Sequence, residues 1–175
     1  IVHKMNNRII YRGPDGEGVY AENSFAMGMR RLSIIDLAAG NQPIFNEDKT
    51  LAIVFNGEIY NFKELRYALE CKGHKFATAS DTEVIIHLYE EEGYECLKKL
   101  DGMFAFAIFD KSSGEVFIGR DKCGEKPLYY YIDNEKFTFA SELKSMIEIK
   151  AFDKKISKVG LEFYLKFSYI PAPYT

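Results

Sequence analysis

The stretch that decides the fold is IVFNGEIYNFKEL, Ile53 to Leu65. It opens as an apolar β-strand and then meets Asn56-Gly57, a dipeptide that favours a type I′ hairpin turn because both residues accept positive φ. The residues that follow, Glu58 to Asn61, do not form a clean return strand and lead into a helix start. Local rules leave two interpretations open. The dipeptide only turns the chain, or it holds polar groups where chemistry needs them.

Further strands are predicted on both sides of this stretch. Leu51 to Phe55 is a continuous apolar run, and Met103 to Phe109 alternates large and small residues, as in a strand that is buried on both faces. Short turn segments at 111–114 and 133–134 separate the later strands, which indicates an antiparallel meander. These later strands are predicted at Glu115 to Gly119, Leu128 to Ile132 and Lys136 to Ala140.

Two helices are predicted between the strands, each with a capping-box signature at its start and a glycine at its end. The signature residues are Asn61, Glu64 and Gly73 for the first helix and Ser80, Glu83 and Gly93 for the second. A weaker helix is predicted after Ser141. Runs of antiparallel strands with helices grouped between them predict the α+β class, with sheets covered by helices.

Composition limits the function classes. A chain of 175 residues, 47% of them hydrophobic, is typical of one globular domain. The net charge of −3, with basic residues spread out, argues against nucleic-acid binding. Three widely spaced cysteines favour a reducing compartment over a disulfide framework. No signal-peptide pattern is visible, and no apolar run is long enough to span a bilayer, so we expect a soluble cytoplasmic protein.

A cysteine nucleophile is one candidate for a functional site. Cys123 lies among Arg120, Lys122 and Lys126, an electropositive setting that is typical of reactive cysteines. None of the three histidines is near it in sequence, so an ordinary loop cysteine is the favoured interpretation. Cys71 and His74 form a C-x-x-H pair without a second pair, and we therefore expect no metal site.

Three further motifs are typical of ordinary structure when each is taken alone. Arg12 to Gly16 reads as a tight loop that lacks the spacing of a phosphate-binding glycine motif. Arg30-Arg31 lies before an apolar segment, as solvated strand ends often do. Asp81 is a first-turn acid of the kind that the helix dipole favours.

The order of the motifs along the chain is more specific than any one of them. They are Arg12 to Asp15, Arg31 to Asp36, Asn56 to Asn61, Ser80 to Val84, Asp101 to Phe106, Arg120-Asp121 and Gly124 to Tyr130. In this order they closely resemble the glutamine-amidotransferase domain of glutamine-hydrolysing asparagine synthetases, from Arg12 to Pro173. Other class II amidotransferases share mainly the Asn-Gly and Ser-Asp elements. Tyr11 stands where that family usually has histidine.

The resemblance implies an N-terminal nucleophile (Ntn) hydrolase fold, an αββα sandwich of two antiparallel sheets covered by helices. It implies that residues 1–165 form the amidotransferase domain and that 166–175 begin a linker to a C-terminal synthetase domain. That synthetase domain would bind ATP and Mg²⁺ and would be the partner of this one. No cofactor or metal is expected within residues 1–175, and a homodimer is left open.

The resemblance also implies a site for glutamine. In the family, an N-terminal cysteine attacks the glutamine carboxamide, and here that residue would lie upstream of Ile1. Without it, we expect the chain as printed not to hydrolyse glutamine. Asn56 and Gly57 would form the oxyanion hole, Arg31 would hold the α-carboxylate and Asp81 the α-ammonium group. The residues implied to line the pocket are Leu32, Ser33, Ile34, Ile35 and Glu58.

The function that follows is hydrolysis of glutamine to glutamate and ammonia, for ATP-dependent amidation of aspartate by the partner domain. A related enzyme that amidates another carboxylate is one alternative. A glutamine-binding or interaction module without a nucleophile is the other. The N-terminus of the complete chain, with or without the cysteine, distinguishes the hydrolase from the module.

Overall fold

Helices lie near both ends and in the middle of the chain, and antiparallel strands fill the segments between them. The computed structural model describes residues 1–32 and 40–174. Its helices are α1 (Val2–Arg8), α2 (Phe62–Cys71), α3 (Asp81–Glu92), α4 (Leu143–Met146) and α5 (Lys158–Phe167). Its strands are β1 (Gly16–Glu22), β2 (Phe25–Arg31), β3 (Ile44–Phe45), β4 (Leu51–Ile59), β5 (Gly102–Asp110), β6 (Glu115–Arg120), β7 (Tyr129–Ile132) and β8 (Phe137–Ala140). All strand pairs are antiparallel, so the predicted α+β class is confirmed.

The chain does not turn at Asn56-Gly57. β4 runs through the dipeptide and pairs with β5 over its full length, with Asn56 opposite Ala105 and Gly57 opposite Phe104. The prediction of a hairpin turn at this dipeptide, which local rules favour, is therefore wrong. Because β4 and β5 are buried on both faces over most of their length, the burial of their side chains outweighs the turn preference of one dipeptide.

The predicted meander holds only in part. β3, β4, β5 and β6 form a four-stranded sheet in that order, whereas β7 and β8 form a separate two-stranded sheet. Between β6 and β7 the Asp121 carboxylate accepts hydrogen bonds from the backbone N–H groups of Cys123, Glu125 and Lys126. These bonds fold the segment into a compact turn before β7 begins. β1 and β2, which the sequence analysis did not predict, form a third sheet.

The elements stack in four layers. One buried cluster lies between the four-stranded sheet and helices α2 and α3, and it includes Ile53, Ile85 and Ile108. A second cluster lies on the opposite face of that sheet, where Met27 from β2 packs against Val54 from β4. Beyond it, α1 packs on β2, and α4 packs on β8. The order helix, sheet, sheet, helix confirms the predicted αββα sandwich, with the second sheet layer divided into two hairpins.

The two predicted capping boxes differ in outcome. The Ser80 hydroxyl accepts the Thr82 N–H and so caps α3, and Gly93 ends that helix with φ of 56°. The box itself is not closed, because the Glu83 carboxylate accepts the Ala77 and Thr78 N–H groups and the Ser80 N–H donates to the Thr78 hydroxyl. Asn61 precedes α2, but its side chain makes no cap bond. It accepts the Asp101 N–H at 3.1 Å and donates to the Lys99 carbonyl at 2.8 Å. Asn61 therefore ties the start of α2 to the start of β5, a long-range contact that local rules do not anticipate.

Tyr11 contacts the segment before α4. Its hydroxyl donates to Glu142, whose other carboxylate oxygen lies 3.0 Å from the Arg12 guanidinium. The expected domain boundary after residue 165 falls within α5 and stays a prediction. In the described part of the chain, every helix is too short or too polar to cross a membrane.

Candidate active site at the open edge of the central sheet

The edge of β4 beyond Ile53 is not covered by a strand in the described residues, because β3 pairs only as far as Ile53. Side chains accept hydrogen bonds from two of the backbone N–H groups along this edge of β4. The Phe55 N–H donates to Gln42 Oε1 at 2.6 Å, and the Ile59 N–H donates to Asp81 Oδ2 at 3.0 Å. Backbone N–H groups alternate in direction along a strand, so the N–H of Gly57 points to this same edge, between those two bonds. The edge thus presents a backbone donor at the position predicted for the oxyanion hole.

Asn56 supplies a second donor. Side chains alternate between the faces of a strand, so Asn56 shares the face of Ala52 and Val54, between the two sheet layers. Its Nδ2 amide is buried and has no hydrogen-bond acceptor in residues 1–32 and 40–174. A buried polar group without a partner costs about 1–3 kcal/mol, so folded proteins seldom retain one without a reason. A bound ligand that accepts a hydrogen bond would supply that reason.

A side chain at position 57 would clash with the neighbouring strand. A Cβ at this position would lie 2.1 Å from the Met103 carbonyl oxygen and 2.7 Å from the Phe104 Cα. Both atoms belong to the backbone of β5, which cannot rotate away as a long side chain does. The close approach of β4 to β5 therefore admits only glycine at position 57.

Asp81 lies at the first turn of α3 and is only 5% exposed. Burial raises the pKa of its carboxyl above the usual range, although hydrogen bonds from the backbone N–H groups of Ile59 and Thr82 act in the opposite direction. The carboxylate is thereby fixed against β4, two residues beyond Gly57. A fixed and poorly solvated carboxylate attracts a cationic group more strongly than an exposed one.

Arg31 joins the same region through a polar pair that the sequence analysis missed. Arg31 ends β2, is 7% exposed, and donates to Asn41 Oδ1 at 3.0 Å. The adjacent Gln42 accepts from Phe55 on β4 and donates to Thr82 Oγ1 on α3 at 3.4 Å. Asn41 and Gln42 thus connect β2, β4 and α3. Two consecutive amides before Pro43 are the signal that sequence reasoning could have used.

Of the remaining predicted site residues, the structure describes only Glu58 and Leu32. Glu58 follows Gly57 on β4 and is partly buried. Leu32 is 56% exposed. Ser33, Ile34 and Ile35 lie outside the described residues, and their predicted roles stay predictions.

The cysteines within residues 1–32 and 40–174 do not complete the site. Cys71 and Cys123 are exposed, while Cys96 is buried in the core cluster beside α3. Burial raises the pKa of the Cys96 thiol to about 11, which leaves almost no thiolate at neutral pH. Cys96 is therefore a core residue and not a nucleophile for this edge.

The arrangement brings the Gly57 N–H and the Asp81 carboxylate to one sheet edge, with the Asn56 amide on the adjoining face and Arg31 linked to the region through Asn41 and Gln42. Neutral donors fixed in place stabilise negative charge that develops on an oxygen atom during acyl transfer. An arginine and a carboxylate nearby suit the two charged groups of an α-amino acid. The chain belongs to the glutamine amidotransferase domain family, whose match covers residues 1–175.

Two relatives with high sequence identity to this chain are named as glutamine-hydrolysing asparagine synthetases. The chain is 45% identical, over its full length, to asparagine synthetase [glutamine-hydrolyzing] 1 of Bacillus subtilis (strain 168). It is also 45% identical, over 82% of its length, to asparagine synthetase [glutamine-hydrolyzing] 3 of Arabidopsis thaliana. The chain spans 28% and 25% of the length of these two proteins, respectively. The domain is thus homologous to one part of longer asparagine synthetases.

Solved structures establish the fold. The structure of glutamine phosphoribosylpyrophosphate amidotransferase from B. subtilis, complexed with ADP and GMP, matches 83% of this chain and 39% of that one, with a TM-score of 0.71 and 24% identity. A structure titled as the allosteric regulatory enzyme of purine biosynthesis matches 70% of this chain and 29% of that one, with a TM-score of 0.59 and 29% identity. The fold of this chain is that of the Ntn hydrolases, as the resemblance implied.

Proposed function

We propose that this domain binds glutamine at the open edge of β4 and hydrolyses its carboxamide to glutamate and ammonia. The observation that carries the proposal is the buried and unpaired Nδ2 amide of Asn56, beside the edge-facing N–H of Gly57. Both are neutral donors held by β4 before the substrate arrives. They therefore need no reorganisation when charge develops on the carboxamide oxygen.

The nucleophile in this proposal is the thiol of an N-terminal cysteine that precedes Ile1 in the complete protein. Its α-amine accepts the thiol proton, and the sulfur adds to the carboxamide carbon. The tetrahedral oxyanion is stabilised by Asn56 and Gly57. The C–N bond then breaks, ammonia leaves with the transferred proton, and a glutamyl thioester remains. Water attacks this thioester, which releases glutamate and regenerates the thiol.

Two further residues hold the amino-acid end of glutamine. Arg31, fixed by Asn41, pairs with the α-carboxylate, and the planar guanidinium suits a bidentate contact. Asp81, fixed by the Ile59 N–H, pairs with the α-ammonium group. Because both charged groups of the substrate are engaged, the proposal predicts preference for free glutamine over a glutamine residue within a peptide.

The ammonia is used, in this proposal, by a C-terminal synthetase domain that binds ATP and Mg²⁺ and amidates aspartate. The relatives are named as asparagine synthetases and are several times longer than this chain. Apolar side chains of α5 also support a covering partner, since Leu165 is 75% exposed and Tyr164 is 56% exposed. The acceptor is identified by supplying ammonia together with either aspartate or another carboxylate and measuring which of them is amidated.

The test replaces Asn56 with alanine in the complete protein. Loss of one oxyanion-hole donor is expected to lower glutaminase turnover by ~10²–10³-fold. Ammonia-dependent asparagine synthesis is expected to stay at the wild-type rate, because it does not use this site. Asn134→Ala is the matched control, since Asn134 lies exposed in the turn between β7 and β8.

Wild-type glutaminase turnover in Asn56→Ala would remove Asn56 from the mechanism. Alanine in place of the N-terminal cysteine tests the module alternative. Glutaminase activity should then disappear, while glutamine binding should persist. If the complete protein lacks glutaminase activity before any substitution, the domain is a binding module instead.

A further inference from the structure

A cluster of two histidines and two glutamates lies at the C-terminal part of α3. His87 and Glu90 belong to α3, His74 to the segment after α2, and Glu47 to the turn between β3 and β4. One ligand atom from each of the four lies within 4.8 Å of the other three. Three segments far apart in sequence thus bring their metal-ligating atoms to one point.

The nitrogen-to-oxygen distances within this two-histidine cluster are close to those between the ligands of one small ion. His87 Nδ1 lies 2.8 Å from Glu90 Oε2 and 3.3 Å from Glu47 Oε2. His74 Nδ1 lies 3.3 Å from Glu47 Oε1 and 3.8 Å from Glu90 Oε2. Four ligands at zinc distances of ~2.0–2.1 Å are separated from one another by about 3.3–3.4 Å. The observed separations bracket that value.

One of the two histidines, His74, makes the outer contact that is typical of a metal ligand. In each imidazole Nδ1 faces the cluster, while Nε2 faces a different carboxylate. His74 Nε2 lies within hydrogen-bond distance of Glu91 Oε1, at 3.2 Å, whereas His87 Nε2 lies 3.7 Å from Glu83 Oε1 and makes no hydrogen bond to it. A carboxylate behind a histidine fixes the tautomer and increases the basicity of the ligating nitrogen.

The glutamates are held from behind in the same way. Asn46 Nδ2 donates to Glu90 Oε1 at 2.8 Å, and the Lys75 N–H donates to Glu47 Oε1 at 2.9 Å. Glu90 Oε2 faces both histidines, whereas Glu47 faces His87 with Oε2 and His74 with Oε1. His87 is fully buried, and its Nε2 has no hydrogen-bond partner in residues 1–32 and 40–174. Glu47 and Glu90 are partly exposed, which gives an ion a path from solvent.

We propose that the two-histidine cluster, formed by Glu47, His74, His87 and Glu90, binds one divalent transition-metal ion. Two imidazole nitrogens and two carboxylates are ligands that suit a four-coordinate Zn²⁺ ion. The ion would connect α3 to the β3–β4 turn and to the segment after α2. Its role would therefore be structural. This inference is independent of the proposed glutaminase activity.

The alternative is an ion-pair network without metal. Burial lowers the pKa of His87, but the contacts with Glu83 and Glu90 and the charge of Glu47 outweigh it and raise this pKa to about 9. A protonated His87 would then satisfy the carboxylates by itself. The two cases differ in whether added Zn²⁺ binds stoichiometrically and stabilises the fold.

The test measures Zn²⁺ binding to the metal-stripped complete protein by calorimetry, and Co²⁺ binding by the visible absorption of a tetrahedral cobalt centre. The variants are His74→Asn and Glu47→Gln, which each remove one ligand from a partly exposed position. His3→Asn is the matched control, because His3 contacts Glu17 at 3.1 Å away from the cluster. Glu91→Gln tests the outer contact.

We expect a saturable Zn²⁺ site that is weakened at least ~10–100-fold in His74→Asn and Glu47→Gln, and ~10-fold in Glu91→Gln. It should be unchanged in His3→Asn. Added Zn²⁺ should raise the melting temperature of wild type and His3→Asn, but not that of the ligand variants. Wild-type protein without a saturable site would overturn the proposal, as would equal binding by wild type and both ligand variants.

Discussion

Replacing Gly57 with alanine separates the structural need for glycine from its proposed catalytic role. The new Cβ would lie 2.1 Å from the Met103 carbonyl oxygen and 2.7 Å from the Phe104 Cα. Carbon and oxygen atoms that are not bonded normally stay more than ~3 Å apart. β4 and β5 must therefore separate locally by about 1 Å for the side chain to fit.

The cost follows from that movement. Forcing a methyl group into a closely packed site costs about 1–3 kcal/mol. A shift of 1 Å also carries the Gly57 N–H out of hydrogen-bond range of an oxyanion, since donors act at about 2.7–3.1 Å. We therefore expect a loss of ~1–3 kcal/mol in the free energy of unfolding. In the protein that stays folded, we expect a loss of ~10²-fold in glutaminase turnover.

Gly102→Ala is the matched control for Gly57→Ala. A Cβ at Gly102 would lie 2.2 Å from the Glu58 carbonyl oxygen, a similar clash at another residue pair of the same two strands. Urea unfolding should show similar losses in both variants, whereas glutaminase turnover below the melting transition should fall much further in Gly57→Ala. Equal turnover in the two variants would refute the assignment of Gly57 as a donor. An unchanged unfolding free energy would refute the close approach itself.

Two further predictions concern buried carboxylates. Asp81→Asn should weaken glutamine binding by ~10–100-fold, the value of one charge-assisted contact, measured by calorimetry in a variant without the nucleophile. Because burial raises the pKa of Asp81, the affinity of the wild type for glutamine should decline as the pH falls through that raised pKa, and Asp81→Asn should lack this decline. Equal glutamine dissociation constants for wild type and Asp81→Asn would contradict the assignment of Asp81 to the α-ammonium group. Burial also raises the pKa of Asp121, but the backbone N–H groups of Lys126, Glu125, Phe104 and Cys123 outweigh it and hold this pKa below its usual range. The resulting stability is present above the unfolded-state pKa of ~3.9 and is lost as the pH falls through the folded value. Asp121→Asn should therefore lower the unfolding free energy by ~1–3 kcal/mol at neutral pH and by less in acid, and a difference that does not depend on pH would contradict this role.

Segments with strong local signals could be predicted from the sequence. β5 follows from its apolar run, and α3 follows from Ser80 at its start and Gly93 at its end. β1 and β2 could not, because glycine and methionine interrupt their alternation and their pairing partner lies across a turn. Asn61 shows the same limit, since its side chain bonds to Lys99 and Asp101 instead of capping α2. Local patterns cannot reveal which distant backbone groups need a partner.

The two-histidine cluster was equally invisible in the sequence. His74 attracted attention only for its spacing from Cys71, and His87 lies in a helix where its neighbours are apolar. Glu47 belongs to a different turn. The metal-ligating atoms meet only because α2 and α3 pack on the same face of the four-stranded sheet.

The sequence by itself determined the residue types of the amidotransferase motifs, including Asn56, Gly57 and Asp81, and the α+β class that contains them. Only the tertiary structure decided what Asn56-Gly57 does. Pairing with β5 keeps the dipeptide in an extended strand, and within residues 1–32 and 40–174 the short β3 leaves the edge of that strand open. Gln42 and Asp81 then take the N–H groups on either side of Gly57. A turn preference is a local energy of small size, whereas the burial of a full-length strand pair is a sum over many residues, and the larger sum prevails.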